Sequence, residues 1–302
     1  MDNNVKQENI DFEELEKKQK WETVSKLWYK FSRNKLSVVG LVVIILIILA
    51  AVFAPYIVPY PEHGGPYTDF MNANKAPSSE YLLGTDIFGR DVLSRIIFAL
   101  RGALSIGIVV LAISVPIGVT VGLIGGYFSG TWIETVVMRI TDVFLGIPPL
   151  ILALAIAAML EPNLTNSMIA ITVSWWPWYA RLIYGMSSSL RNEPFIRAAE
   201  LTGANLPHIL FKEILPNCYG PIFTKMTLDM GWVILNAASL SFVGLGEQPP
   251  IPALGNMVSN GADYLPDYWW MAIFPALAIM IIILAFNLLG DGVRDMLAKE
   301  EG

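Results

Sequence analysis

The run VVIILIILAAV at 42–52 lies inside an uncharged stretch from Leu36 to Val58. A helix needs roughly 20 mostly apolar residues to cross a bilayer core. Five more stretches approach this pattern. Ala103–Phe128 and Tyr268–Leu289 are uncharged. Glu134–Leu160 carries Glu134, Arg139 and Asp142 in its first turns, Asn166–Tyr184 carries Arg181, and Pro221–Leu245 carries Lys225 and Asp229. The runs do not alternate in polarity, which argues against a transmembrane β-barrel. The expected fold is therefore an all-α polytopic membrane protein with six transmembrane helices. The first apolar run is too long for a signal peptide's apolar region and follows a long acidic segment, so it reads as an uncleaved anchor.

Composition agrees. Charged residues are 15% of the chain and hydrophobic residues 54%, where soluble domains run nearer a quarter charged. A lone cysteine, Cys218, excludes a disulfide scaffold. With only His63 and His208 beside it, no clustered His/Cys zinc site can form. A net charge of −6 gives nucleic-acid binding no electrostatic support.

Lysine and arginine set orientation. Lys6, Lys17, Lys18, Lys20, Lys26, Lys30, Arg33 and Lys35 precede the first span, which puts the N-terminus in the cytoplasm. Six spans return the C-terminus there, with Arg294 and Lys299. The loop after the fourth span, bearing Arg191, Arg197 and Lys212, falls inside. Lys75, Arg90, Arg95 and Arg101 sit in one long outer loop, and the outer loop Gly246–Asp267 has no Lys or Arg. The expected organisation is a cytoplasmic segment 1–35, an anchor 36–58, an extracytoplasmic loop 59–102, a five-helix core 103–290 and a cytoplasmic tail 291–302. Trp21, Val24, Leu27, Trp28 and Phe31 follow one helical face. That fits a helix lying on membrane lipid, or equally a solvated basic lead-in. Trp269 and Trp270 suit an aromatic belt.

The segment 187–220 reads SSSLRNEPFIRAAELTGANLPHILFKEILPNCYG. Asn192 or Glu193 can cap a helix with Pro194 in its first turn. Gly203 can take the left-handed conformation that ends it. Asn205 and Pro207 open a second helix, which Pro216 is expected to stop. The reading is a cytoplasmic helix pair between spans 4 and 5. Phe195, Ala198, Ala199 and Thr202 share one face of the first helix. Helices this short are marginal alone and need a partner surface, with an ordinary loop on the inner leaflet as the alternative.

Other features leave choices open. Gly118, Gly122 and Gly126 permit close helix approach, within the subunit or against a sister subunit. Pro116, Pro148, Pro149, Pro177 and Pro275 are structural kinks or gate hinges. Asp229 is costly inside a membrane; it lines a path or pairs with Lys225 one turn before, and the pairing is favoured. Arg139 and Asp142 can pair likewise. Asp91 can cap a helix from Val92, in an outer segment that is either scaffold or contact for a delivery protein. The chain has no phosphate loop, no plausible Ser-His-Asp set and no zinc-protease motif, so it is not expected to be an enzyme.

Ala198-Ala199, then Gly203 after three residues, then Leu215-Pro216 after eleven more, is similar to the EAA loop of ABC importer permeases. The wider stretches at 83–107, 141–160, 176–217 and 238–250 resemble the oligopeptide/dipeptide/nickel branch, and the last, with the long first outer loop, its C-type subunit. The resemblance implies a loop that docks on a cytoplasmic ATPase, through Phe195, Arg197, Ala198, Ala199, Glu200, Gly203, Leu215 and Pro216. It implies a second permease subunit, two cytoplasmic ATPase subunits that hold ATP and Mg, an extracytoplasmic substrate-binding protein, and a prokaryotic plasma membrane. This chain would bind no cofactor or metal. The expected function is import of oligopeptides or dipeptides, with nickel import and, more remotely, secondary transport as alternatives. Arg197 stands where the motif usually has Glu, Glu213 where it has Ile, and Leu254 where Trp is often found.

Overall fold

A computed structural model describes Lys18, Trp21, Glu22 and residues 25–297. Lys6, Lys17, Lys20, Val24 and Lys299 lie outside the described residues. The main helices of the described chain are α1 Lys35–Val52, α2 Val92–Tyr127, α3 Trp132–Leu145, α4 Pro149–Ala157, α5 Leu164–Leu190, α6 Pro194–Leu201, α7 Leu215–Phe242, α8 Leu254–Ala262 and α9 Trp270–Leu297, with residues 25–33 also helical ahead of α1. Short helical turns join some of them. Among the described residues there is no strand, only the single bridge Thr85–Asp91.

Among the described residues three helices, α1, α2 and α9, are long and apolar enough to cross a membrane; α3 and α4 together make a fourth candidate, bent by 83°. The stretch 134–160 is therefore not one straight helix. Pro148 and Pro149 explain the break. Pro149 lacks the N–H a continuing helix needs, and the residue before a proline is pushed to extended backbone; Pro148 has ψ 132°. Helices α5 and α7 have 27 and 28 residues. At 1.5 Å per residue each is long enough to span, but Arg181 in α5 and Lys225 and Asp229 in α7 make them more polar.

The core is built on α2 against α5. A Cβ added at Gly122 would lie 2.8 Å from the Ile183 Cβ, and one at Gly126 2.5 Å from the Ser187 Cβ. Gly118 meets Trp176, Tyr179 and Ala180 in the same way. The glycine row thus serves packing within the subunit. Ser187 Oγ closes the seam by donating to the Leu123 carbonyl at 3.1 Å. On the other side Gly40 of α1 admits Leu288 of α9. Phe31 is buried against Gly292, while Trp21 and Trp28 are exposed. Asp142 pairs with Arg181 of α5, not with Arg139, because the α5 guanidinium reaches it across the helix pair.

Helix α2 starts at Val92, well before Ala103, because Asp91 caps it and accepts from the Ser94 N–H at 2.7 Å. The segment ahead of it is tied together by its own hydrogen bonds. Asp86 accepts from the Phe88 and Arg90 amides at 2.9 Å each and from Arg90 Nε at 2.7 Å. Arg95 donates to the His63 carbonyl at 3.0 Å and to the Pro250 carbonyl at 3.3 Å, tying the two long loops at this end together. Trp270 is buried and donates to the Thr85 carbonyl at 3.1 Å, whereas Trp269 remains exposed.

Candidate functional site

At the opposite end, α6 is built from local chemistry. Glu193 occupies the N-cap position in extended conformation, though its side chain makes no capping hydrogen bond, and Pro194 opens the first turn. At its end Gly203 has φ +83°. Its N–H donates to the Glu200 carbonyl and the Ala204 N–H to the Ala199 carbonyl, both at 3.0 Å. This is the paired closure that a left-handed residue after the helix makes possible. Asn205 then caps the next turn, accepting from the His208 N–H at 3.0 Å.

Pro216 does not stop the second helix. The one-turn helix Leu206–His208 runs through a π-helical stretch Ile209–Ile214 directly into α7, where Pro216 occupies the first turn. Pro216 cannot donate to the Lys212 carbonyl and its ring crowds that group. A widened turn accommodates both effects without ending the helix.

One residue anchors α6. Ile196 is fully buried, in one cluster with Ile209, Leu210 and Ile214. Its neighbours point outward: Phe195 is 40% exposed and Leu201 89%. Arg197, Ala198, Glu200, Thr202 and Gly203 are exposed and Ala199 half-buried. Leu215 is half-buried and Pro216 exposed, both on the first turn of α7. The sequence pattern missed Ile196 and Leu201, which lie off the small-residue face. Glu213 is satisfied locally, 3.2 Å from His208 Nε2. Arg197 has no side-chain partner among the described residues.

A second tie joins α6 to the end of α2. Tyr127 Oη donates to Glu200 Oε1 at 2.8 Å. Arg191 lies 5.8 Å from the centre of the Tyr127 ring and donates to the Ser129 carbonyl. Glu134 accepts from Tyr184 and from the Gly130 N–H, joining α3, α5 and the α2–α3 turn. Tyr127 and Glu200 are far apart in sequence, and no local signal marks their pairing.

Asp229 is 5% exposed. Lys225 Nζ lies 3.1 Å from its carboxylate, and Trp175 Nε1 donates to it at 3.0 Å. The Lys225 ammonium also sits 5.3 Å from the Tyr179 ring centre. The carboxylate therefore faces its own subunit, between α5 and α7.

Residues 114–300 match the family described as binding-protein-dependent transport system inner membrane component. Residues 24–77 match the N-terminal transmembrane domain of oligopeptide transport permease C. The chain is 41% identical to the dipeptide transport system permease protein DppC of Alkalihalophilus pseudofirmus, over 89% of this chain and 87% of that one. It is 35% identical to the DppC of Haemophilus influenzae over 91% and 94%, and 38% identical to the di/tripeptide permease DppC of Pseudomonas aeruginosa over 91% of each. An inward-facing structure of the MetNI methionine ABC transporter superposes with a TM-score of 0.53 at 18% identity, covering 69% of this chain and 97% of that one, a likeness of fold. The chain belongs to the ABC importer permeases of the binding-protein-dependent inner membrane component family, in the C-type branch of the oligopeptide/dipeptide group.

Proposed function

We propose that this chain is a permease subunit of an ATP-driven importer of short peptides, and that its 187–220 loop is the element seated on a cytoplasmic ATPase. The peptide assignment rests on the dipeptide permeases to which it is 35–41% similar in identity over about nine-tenths of its length. The loop assignment rests on geometry: α6 is held by the buried Ile196 and by the Tyr127–Glu200 bond, and presents Phe195, Ala198 and Leu201 outward beside a left-handed turn. The permease is a non-catalytic membrane subunit. ATP and Mg belong to two ATPase subunits, the path forms with a second permease, and a binding protein delivers substrate outside.

On this reading the chain spans the membrane six times, with α3 and α4 as one broken span and α5 and α7 as two more. The Lys225–Asp229 pair is a tie inside the subunit. Both termini lie in the cytoplasm of a prokaryotic cell, and the 59–91 loop lies outside. The test is reconstitution with the second permease, the ATPases and the binding protein. ATP-dependent uptake of a dipeptide supports the reading, and uptake by this chain alone refutes it. Cysteines at the exposed positions Ser79 and Asn192 check the sides, since the native Cys218 is buried. An impermeant thiol reagent labels the first from outside and not the second.

A further inference from the structure

At the end away from α6, a cavity of about 590 Å³ opens between the early part of α2, the last turns of α7 and the loop that follows α7. Its walls are mostly apolar, with Phe98 and Ile106 from α2, Ile234 from α7 and Ile251 from the loop. Two charged side chains line it as well, Arg101 and Glu247. They border one space without meeting each other, and among the described residues neither side chain has a hydrogen bond or ion pair. The surroundings are otherwise well satisfied. Arg95, on the same helix, is bound to the His63 and Pro250 carbonyls. The Glu247 carbonyl accepts from Asn256, which fixes the loop and leaves the carboxylate free.

A cation and an anion left apart across an apolar space fit a ligand that carries both charges and a variable middle. A peptide of two or three residues has that form, an ammonium and a carboxylate separated by one or two units of about 3.8 Å. The volume lies within the range of small-molecule sites, which take orientation from few polar groups and bulk from apolar walls. We infer that this cavity binds short zwitterionic peptides by their two ends, with Arg101 taking the carboxylate and Glu247 the ammonium. The inference rests on the reading of the chain as a peptide permease. It makes the permease a reader of free termini, tolerant of side chains, independently of the binding protein.

The test uses the assembled complex in nanodiscs, without binding protein, and measures equilibrium binding of radiolabelled alanyl-alanine. N-acetyl and C-amide forms serve as competitors. Charge-assisted hydrogen bonds imply that each blocked form competes about tenfold or more weakly against wild type. Arg101→Gln should remove the discrimination between acid and amide and leave that between amine and N-acetyl. Glu247→Gln should do the converse. A structural role would weaken all competitors alike, and that result overturns the inference. So does unchanged discrimination in both variants, or no peptide binding by a wild-type complex that transports alanyl-alanine when the binding protein is added. Zwitterionic lipid headgroups share this chemistry. If phosphatidylethanolamine in the nanodisc sets Arg101-dependent binding and the peptide ends have no effect, the cavity belongs to lipid. A wild-type complex that transports no dipeptide with its binding protein refutes the peptide reading itself.

Discussion

Gly203 allows backbone conformation to be changed without touching a neighbour. Its φ is +83°, and a Cβ built there meets nothing within 4 Å. A substitution therefore acts through the left-handed backbone alone. Valine is a genuine outlier in that region, and residues held in such conformations cost on the order of 1–3 kcal/mol. Through RT that is a loss of about 5- to 150-fold in the population holding the turn. The affected bonds are those from Gly203 to Glu200 and from Ala204 to Ala199, which aim the outward face of α6. The helices buried in the membrane are untouched, so abundance should stay normal. Gly203→Val is expected to lose peptide uptake and substrate-stimulated ATP hydrolysis in the reconstituted complex at matched protein level. Gly203→Ala should be milder, and Gly203→Asn milder still, because Asn enters the left-handed region readily. If Gly203→Val transports like wild type, the turn does not set the coupling geometry and the reasoning fails.

Three further outcomes follow from the contacts. Tyr127→Phe deletes the hydroxyl that meets Glu200; a net loss of about 1 kcal/mol should reduce uptake by no more than about fivefold, with the ATPase still assembled, and Glu200→Gln should retain most of the function. Asp229→Ala strands Lys225 and the Trp175 N–H; losing one partner of a buried pair costs on the order of 3–5 kcal/mol, so melting in detergent should fall, and adding Lys225→Met should recover part of it. Equal melting for single and double variants would show that the pair is not the cause. His63 is buried outside the spans, and burial holds its pKa below the ordinary 6.5, while Nδ1 accepts the Asp91 N–H at 2.8 Å. Below about pH 6.5 the unfolded chain takes up a proton that the folded chain resists. Stability should thus be full above that pH and decline as pH falls toward the lowered value; His63→Asn, which keeps an acceptor but does not titrate, should flatten the melting profile between pH 7 and 5.

Legibility in the sequence followed the range of the interaction. The α6 region was readable because Pro194, Gly203, Asn205 and Pro207 act on their own backbone. The long helices were readable because apolar length is a local property. The bend between α3 and α4 was written in Pro148 and Pro149, but prolines are common inside membrane helices and their effect depends on neighbours. Pro216 misled for a related reason: it obstructs a regular helix, yet a π turn lets the chain continue into α7. The glycine row announced close packing without naming α5 as its partner. The Tyr127–Glu200 bond, the Asp142–Arg181 pair and the Trp270 anchor on Thr85 join segments far apart in the chain. No spacing rule reaches them.

The central claim is that the outward face of α6 meets an ATPase subunit. A photo-crosslinking residue placed at Ala198, and separately at Leu201, in the assembled complex tests it most directly. Both positions are exposed, Leu201 at 89%, so neither substitution disturbs the Ile196 anchor. The account predicts an adduct with an ATPase subunit from both positions, altered in amount by ATP, and none from Ser79 in the 59–91 loop. Adducts from Ser79 with no ATPase adduct from Ala198 or Leu201 would contradict it.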